Sequence, residues 1–170
     1  MITVYLDMDG VLSDFHKAYR KFDPVLADRK RFREAVLQYR IFEDLDKFPG
    51  ADLLLETATH LHTLDHVDVQ ILTSMGTYDE VQGAAAKEQK LTWLAKHDIK
   101  FKPNFVRAKQ EKALYAHKHA ILIDDSKGCI DPFTLKSGQG ILHTDAVETI
   151  EILHHTILGL TAMGAAGHVA

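Results

Sequence analysis

The chain has 170 residues, of which 46% are hydrophobic and 26% are charged. This length and composition are typical of a soluble globular protein with one sizeable core, and they exclude collagen-like, fibrous and disordered chains. The net charge of −4 argues by itself against a protein that binds nucleic acid or phosphate.

The sequence also indicates a cellular compartment. Cys129 is the single cysteine and cannot form an internal disulfide, which favours a reducing cytoplasm. No apolar segment approaches the roughly 18 residues of a membrane span, and residues 1–7 lack the charged leader of a secretion signal. We therefore expect a cytoplasmic protein without a membrane helix or signal peptide.

Apolar runs alternate with amphipathic stretches, beginning with a short β-branched strand at residues 2–6. Helices are predicted between residues 15 and 48, and another at 51–64, after the Pro49-Gly50 pair. A strand at 67–73 and a long helix at about 77–97 follow. The residues of that long helix predicted to face the sheet are Val81, Ala84, Ala85, Leu91 and Leu94.

The second half continues this alternation of strands and helices. The predicted elements are a weak strand at 104–107, a short helix at 112–116, strands at 120–123 and 140–142, and a closing helix at 146–158. The Gly- and Ala-rich residues 159–170 are predicted to form a mobile tail. Strands separated by helices predict an α/β fold with a parallel sheet.

Three of the predicted strands end in acidic or hydroxyl residues. The clusters are Asp7-x-Asp9-Gly10, Thr73-Ser74 and Asp124-Asp125-Ser126. In an open α/β sheet, ligands bind outside the carboxyl ends of the strands, so these clusters are expected to face one crevice. Carboxylates gathered so closely repel each other, and a hard cation such as Mg²⁺ that also takes a phosphate oxygen would neutralise them.

These clusters resemble the four motifs of the haloacid dehalogenase (HAD) superfamily in its phosphatase form. Residues 7–12 (DMDGVL) resemble the first motif, residues 71–74 (ILTS) the second, a lysine near Lys112 the third, and residues 121–126 (ILIDDS) the fourth. All four occur in the order of that superfamily. The resemblance implies a Rossmann-like core, residues 1–14 and 49–158, with a small helical cap, residues 15–48, inserted after the first strand.

Within the superfamily, the chain is most similar to the 5′(3′)-deoxyribonucleotidases of small bacterial and phage type. The likeness rests on Asp14-Phe15 after the first motif, Phe42-x-x-Leu45, Pro49-Gly50-Ala51 and the motifs already named. It implies a small-molecule substrate, a nucleoside monophosphate, with Phe42 as an aromatic contact to the base. A stable complex with nucleic acid is not expected.

The expected chemistry is hydrolysis of a phosphate monoester. Phosphoryl transfer needs a nucleophile, neutralisation of charge and a proton for the leaving oxygen. Asp7 is the expected nucleophile, which forms an aspartyl-phosphate, and Asp9 is the expected general acid and base. The resemblance implies that Mg²⁺ is held by Asp7, the main-chain carbonyl of Asp9 and Asp125, while Asp124 acts through a water or orients the ligands.

The phosphate group itself is expected to contact hydroxyls and a lysine. Thr73 and Ser74 would donate to its oxygens. Lys112, which opens the short helix, is the preferred site lysine, with Lys109 and Lys118 as alternatives.

Positive charge is concentrated between positions 17 and 40, where eight basic and three acidic residues give a local balance of +5. This stretch is either a solvated helix face or an electropositive flap over an anionic substrate. Other functions also remain open at this point. The substrate could be a sugar phosphate or a phosphorylated nucleic-acid end, and the chain could instead be a non-catalytic phospho-accepting switch or a dehalogenase.

Overall fold

The structure, a computed structural model, describes residues 1–22 and 28–166. Its centre is a five-stranded parallel sheet with the order β3-β2-β1-β4-β5. The strands are β1 (Ile2–Leu6), β2 (Val67–Ser74), β3 (Lys102–Val106), β4 (Ala120–Asp124) and β5 (Gln139–Leu142). The predicted α/β fold with a parallel sheet is therefore confirmed.

Helices connect the strands and cover the sheet. They are α1 (Phe15–Tyr19), α2 (Arg29–Leu37), α3 (Ala51–His62), α4 (Glu80–Lys96), a 3-10 helix (Lys109–Tyr115), α5 (Lys127–Leu135) and α6 (Ala146–Ala166). Within the described residues, none of these helices is both long and apolar enough to cross a membrane.

The three central strands are almost fully buried, which explains why they read as nearly continuous apolar runs. Leu6 lies opposite Ile71 on one neighbouring strand and Ile123 on the other, and all three side chains are buried. Burial of each such side chain contributes roughly 1.5–3 kcal/mol to stability. The centre of the sheet is therefore a rigid base for the loops at its ends.

The chain path creates a crevice at the carboxyl ends of β1 and β4. From β1 the chain builds β2 and β3 on one side of the sheet, and it then crosses over to place β4 on the other side of β1. Such a reversal leaves room for a ligand between the loops that follow the two strands. Asp7 follows β1 and its N–H donates to the carbonyl of Ile123 at 3.0 Å, which brings Asp7 beside Asp124, the last residue of β4.

The described residues between positions 15 and 48 lie outside the sheet but pack against it. Tyr19, Val36 and Phe42 belong to the same buried hydrophobic cluster as Leu6. The division into a core and a cap at residues 15–48 stays a prediction, and residues 23–27 of that segment lie outside the described residues.

The predicted buried face of α4 was wrong at Val81, Ala84 and Leu91 and confirmed at Leu94. Val81 is 65% exposed and Leu91 is 39% exposed. Besides Leu94, the helix buries residues that were not predicted: Gln82, Gly83, Ala86, Gln89, Lys90 and Trp93. The physical reason is that the segment 36–45 packs on this face and hydrogen-bonds its polar groups: Gln89 Nε2 donates to the carbonyl of Val36 at 2.8 Å, and Trp93 Nε1 to that of Leu45 at 2.8 Å.

Three other boundaries differ from the predictions. The helix predicted at 112–116 is a 3-10 helix that begins at Lys109, and α5 was not predicted because Pro132 lies inside it. The predicted end of α6 at residue 158 was wrong, since the helix continues to Ala166 and Leu160 is 9% exposed. Residues 167–170 of the predicted mobile tail lie outside the described residues.

Candidate active site

Three carboxylates form an acidic cluster at the carboxyl ends of β1 and β4. Asp7, Asp124 and Asp125 each offer an oxygen within 4.8 Å of the others, and the first two are buried. Gly10 makes room for Asp125: its φ is +82°, and a Cβ atom there would lie 2.2 Å from Asp125 Oδ2. Carboxylates this close repel one another unless positive charge is near, so the cluster could hold a metal cation.

Lys112 supplies one positive charge to this acidic cluster. Its Nζ lies 2.8 Å from Asp7 Oδ1 and 2.6 Å from Asp124 Oδ2, and its side chain is 1% exposed. Burial alone would lower the pKa of Lys112, but the two carboxylates raise it above its usual value, so the ammonium group stays charged. Burial, followed by repulsion from Asp7, raises the pKa of the Asp124 carboxyl, and Lys112 partly opposes that rise.

The two alternative lysines lie elsewhere. Lys109 packs against Gly128 at the edge of the crevice, and Lys118 is exposed in the loop before β4, at the opposite edge of the sheet. Of the three lysines, Lys112 is therefore the one that the fold places in the acidic cluster.

A second buried lysine, Lys90, was not among the sequence candidates. It comes from α4, and its side chain is fully buried. Its Nζ donates to Asp9 Oδ2 at 2.6 Å and to Thr73 Oγ1 at 2.8 Å, and it lies 4.6 Å from the centre of the Phe42 ring. Lys90 thus joins the first and second motifs through one ammonium group.

Asp9 is held apart from the acidic cluster by these contacts. Its Oδ2 accepts from Lys90 and its Oδ1 accepts from Ser13 Oγ at 3.2 Å, while 23% of the side chain remains exposed. Burial raises the pKa of the Asp9 carboxyl above its ordinary value; Lys90 lowers it and Asp7 raises it further. A raised pKa favours the protonated form, which is the form that can donate a proton.

The two hydroxyls of the second motif have different environments. Thr73 is fully buried and its Oγ1 accepts from Lys90. Ser74 Oγ accepts from the N–H of Gly76 at 3.0 Å and donates to the carbonyl of Arg107 at 3.2 Å. Ser74 therefore shapes the turn after β2, and its role as a phosphate ligand stays a prediction.

His16 is a further residue that the sequence did not single out. It lies on α1, and its Nε2 is 3.4 Å from Asp125 Oδ2. The hydrogen bond to Asp125 raises the pKa of His16, although burial opposes this. His16 therefore places a positive charge beside the acidic cluster when its ring is protonated.

A pocket of about 420 Å³ opens above Asp9, and we name it the catalytic pocket after the role proposed for Asp9. One wall is aromatic, because Phe15, Tyr19, Phe32 and Phe42 all line it. Phe15 stacks on Phe42 with their ring centres 5.1 Å apart, and Phe32 meets both rings edge-on. Phe42 is 2% exposed, so Phe15 and Phe32 present more ring surface to a ligand than Phe42 does.

Solved structures share this arrangement of strands and helices at low sequence identity. A hydrolase from Streptococcus pneumoniae TIGR4 is 16% identical, with a TM-score of 0.54 over 89% of this chain and 97% of that one. An L-2-haloacid dehalogenase from Xanthobacter autotrophicus is 12% identical, with a TM-score of 0.50 over 82% of this chain and 76% of that one. The chain has the fold of a haloacid dehalogenase. No family model and no curated protein sequence matches it.

On the haloacid dehalogenase fold, most of the predicted site residues come together at one edge of the sheet. The structure places Asp7, Asp124, Asp125 and Lys112 in the acidic cluster, and it places Asp9 and Thr73 on Lys90 beside it. Ser74 and Phe42 line the adjoining space, with the side chain of Phe42 mostly covered. The catalytic roles of these residues stay predictions, and they are taken up below.

Proposed function

We propose that the protein hydrolyses phosphate monoesters through an aspartyl-phosphate formed on Asp7. The observation that carries this proposal is the different environment of two aspartates two positions apart. Asp7 lies in the acidic cluster against the Lys112 ammonium group, whereas Asp9 lies on Lys90 with part of its carboxyl facing the catalytic pocket. Such a pair can divide nucleophilic and acid–base roles between its members.

The first step forms the covalent intermediate. Asp7 Oδ1 accepts from the N–H of Met8 at 2.7 Å and lies 2.8 Å from Lys112 Nζ, so Oδ2 is the oxygen that attacks phosphorus. As the new bond forms, the bond between phosphorus and the leaving oxygen breaks. Asp9 gives its proton to that oxygen, and the alcohol leaves through the catalytic pocket.

The second step releases phosphate. Asp9, now a carboxylate, takes a proton from a water molecule, whose oxygen attacks the phosphorus of the aspartyl-phosphate. The bond between phosphorus and Asp7 Oδ2 breaks, which restores the Asp7 carboxylate and the protonated Asp9. Lys112 and Lys90 keep their positive charges throughout and hold the two carboxylates in place.

The acidic cluster fits Mg²⁺, since three carboxylate oxygens within 4.8 Å of one another suit a hard cation and Gly10 keeps the space beside Asp125 clear. We propose that Asp7, Asp125 and the main-chain carbonyl of Asp9 hold the ion. Asp124, which accepts from Lys112 and from the N–H of Ser126 at 2.9 Å, orients the others. Bound Mg²⁺ would neutralise charge on the phosphate oxygens.

For the substrate we propose a nucleoside monophosphate. The aromatic wall can cover a planar base, and the basic residues of α2 favour an anion. A sugar phosphate would bind to the same acidic cluster, but it has no planar base to stack on the aromatic wall. The proposal is therefore tested by comparing substrates that share the phosphate and differ in the leaving group.

The decisive experiment is a panel of deoxynucleoside 5′- and 3′-monophosphates, sugar phosphates and p-nitrophenyl phosphate, measured by phosphate release with Mg²⁺ and with EDTA. We expect turnover that EDTA abolishes and Mg²⁺ restores, with the highest kcat/KM for a nucleotide. Asp7→Asn should remove turnover while the circular dichroism spectrum is unchanged. Turnover by Asp7→Asn would refute the covalent mechanism, and a uniform preference for sugar phosphates would refute the nucleotide assignment.

A further inference from the structure

A second cavity of about 780 Å³ adjoins the catalytic pocket, and we call it the basic groove. The two cavities adjoin each other, and the residues that line both are Arg29, Phe32, Ser74, Gly76 and Lys109. The catalytic pocket alone falls within the roughly 300–1,000 Å³ that is usual for small ligands. A simple monophosphate can therefore fit there and leave the basic groove empty.

The basic groove carries far more positive than negative charge. Its cationic residues are Arg29, Lys30, Arg33, Arg107 and Lys109, and among the described residues that line it Asp79 supplies the one carboxylate. Asp79 is already engaged, since it lies 2.9 Å from Arg33 Nη1 and accepts from the N–H of Gln82 at 2.8 Å where α4 begins.

The remaining four cations have no carboxylate within 4.0 Å among residues 1–22 and 28–166. The nearby Glu111 attracts Arg107 electrostatically but forms no side-chain ion pair within 4.0 Å with the described cations. Its carboxylate accepts from the N–H groups of Arg107 and Ala108 and from the hydroxyl of Tyr78 at 3.1 Å. An anion in the groove would therefore find four cations that form no ion pair with the described residues.

These cations come from two separate parts of the chain. Arg29 and Lys30 begin α2, whereas Arg107 and Lys109 lie where β3 leads into the 3-10 helix. A solvated helix face would spread its charges outward from one element, but here two segments line the same cavity from both sides. Like charges that line one cavity repel, and an anion between them relieves that repulsion.

We propose that the basic groove binds a second phosphate group of the substrate, which makes the preferred substrate a small bisphosphate such as a nucleoside 3′,5′-bisphosphate. This inference rests on the proposed phosphatase function. The scissile phosphate lies at Asp7, the rest of the molecule crosses the catalytic pocket past Arg29, and the second phosphate lies between Lys30 and Arg107. Guanidinium groups suit this task because they can donate two parallel hydrogen bonds to a phosphate.

A small molecule fits better than a nucleic-acid chain. The whole protein has a net charge of −4, and the positive groove is local, so a long polyanion would meet repulsion outside it. A 5′-phosphorylated oligonucleotide therefore serves as the competing substrate that tests the small-molecule assignment.

The test compares thymidine 5′-monophosphate with thymidine 3′,5′-bisphosphate at low and high salt. For the natural protein we expect a KM about tenfold lower for the bisphosphate, the size expected of one charge-assisted contact, and a ratio that shrinks as salt rises. The double variant Lys30→Gln/Arg107→Gln should bring this ratio close to one. The matched control is Lys100→Gln/Lys118→Gln, which removes two exposed charges before β3 and β4, at the opposite edge of the sheet, and should keep the ratio.

Binding without turnover gives a second readout. Isothermal titration of Asp7→Asn protein with both nucleotides should show tighter binding of the bisphosphate, and the Lys30→Gln/Arg107→Gln substitutions should remove that difference. If the natural protein hydrolyses monophosphates with equal KM for both nucleotides, the second-phosphate site is refuted while the phosphatase proposal stands. If no phosphate ester is hydrolysed, the phosphatase proposal fails and this inference falls with it. If a 5′-phosphorylated oligonucleotide has a lower KM than the bisphosphate, the small-molecule assignment is overturned.

Discussion

The buried ammonium group of Lys90 is a direct test of how Asp9 works. Lys90→Met keeps a side chain of similar length but removes the charge and both hydrogen bonds, to Asp9 Oδ2 at 2.6 Å and to Thr73 Oγ1 at 2.8 Å. Without these bonds the Asp9 carboxyl can still transfer a proton, but it is held by Ser13 alone instead of by Ser13 and Lys90. The variant should therefore impair proton transfer more than phosphate binding.

The size of the effect follows from burial. Removing one partner of a fully buried ion pair costs about 3–5 kcal/mol in free energy of unfolding. Asp9 is 23% exposed, so water and protonation can compensate, and we expect a loss of about 1–3 kcal/mol. General acid–base catalysis contributes about 10²–10⁴ in rate, so misplacing a carboxyl that is still present should lower kcat by roughly 10–100-fold for an alkyl phosphate.

The assay separates proton donation from the rest of the reaction. With 2,4-dinitrophenyl phosphate, the leaving oxygen needs no proton, so the burst of dinitrophenolate in a stopped-flow trace reports the first step alone. Lys90→Met should leave that burst rate within about threefold of the natural value, because Brønsted behaviour makes a proton donor unimportant for such a leaving group. Steady-state hydrolysis of a nucleotide should fall by the larger factor given above.

The control is Lys87→Met. Lys87 is an exposed residue of the same helix, and its Nζ lies 5.4 Å from the centre of the Phe105 ring rather than on Asp9. It should change neither rate. Equal losses in the dinitrophenyl burst and in nucleotide hydrolysis by Lys90→Met would refute the assignment, since Lys90 would then act on the nucleophile or on phosphate binding.

Three further predictions concern other parts of the site. Gly10→Ala should lower Tm and abolish Mg²⁺ binding measured by titration, because the new Cβ would lie 2.2 Å from Asp125 Oδ2 at a φ of +82°, a conformation that costs about 1–2 kcal/mol for other residues. Lys112→Met should cost more stability than Lys90→Met in urea unfolding, because both of its partners, Asp7 and Asp124, are buried. Burial raises the pKa of the Cys129 thiol from 9.0 to about 12, so iodoacetamide should not modify the native protein at pH 8. The free energy of unfolding should fall as the pH rises from 9 to 12, because the thiol ionises in the unfolded chain first. Rapid alkylation of the native protein would contradict the raised pKa.

The positions of Asp7, Thr73 and Asp124 could be predicted because each ends an apolar run of the central sheet. A parallel strand that is buried on both faces gives a strong sequence signal, and its last residue marks the edge where a ligand binds. The pairing of Leu6 with both Ile71 and Ile123 then brings the three strand ends together. The parallel pairing of the strands therefore brings residues that are distant in sequence together at one edge of the sheet.

Lys90 could not be predicted from hydrophobic periodicity, because the buried face of α4 is partly polar. Gln89 and Lys90 are fully buried since their partners come from Val36, Asp9 and Thr73, which are distant in sequence. The sequence carries one signal of this face, because the large apolar residue Trp93 is not among the residues predicted to face the sheet. Residues three or four positions apart share one face of a helix. Counting back from Trp93 in such steps gives the face that the structure buries: Lys90, Gln89, Ala86, Gly83 and Gln82.

The net charge of −4 was a poor guide to phosphate binding for a related reason, because charges act mainly on their near neighbours. Lys112 and Lys90 each face a different carboxylate of the first motif, so Asp7 and Asp9 have separate environments although one residue separates them. Neighbouring carboxylates repel, which separates their proton affinities, and here each carboxylate also has an ammonium group of its own. In the proposed mechanism, two buried lysines on different elements, the 3-10 helix and α4, therefore hold the nucleophile and the proton donor in separate positions.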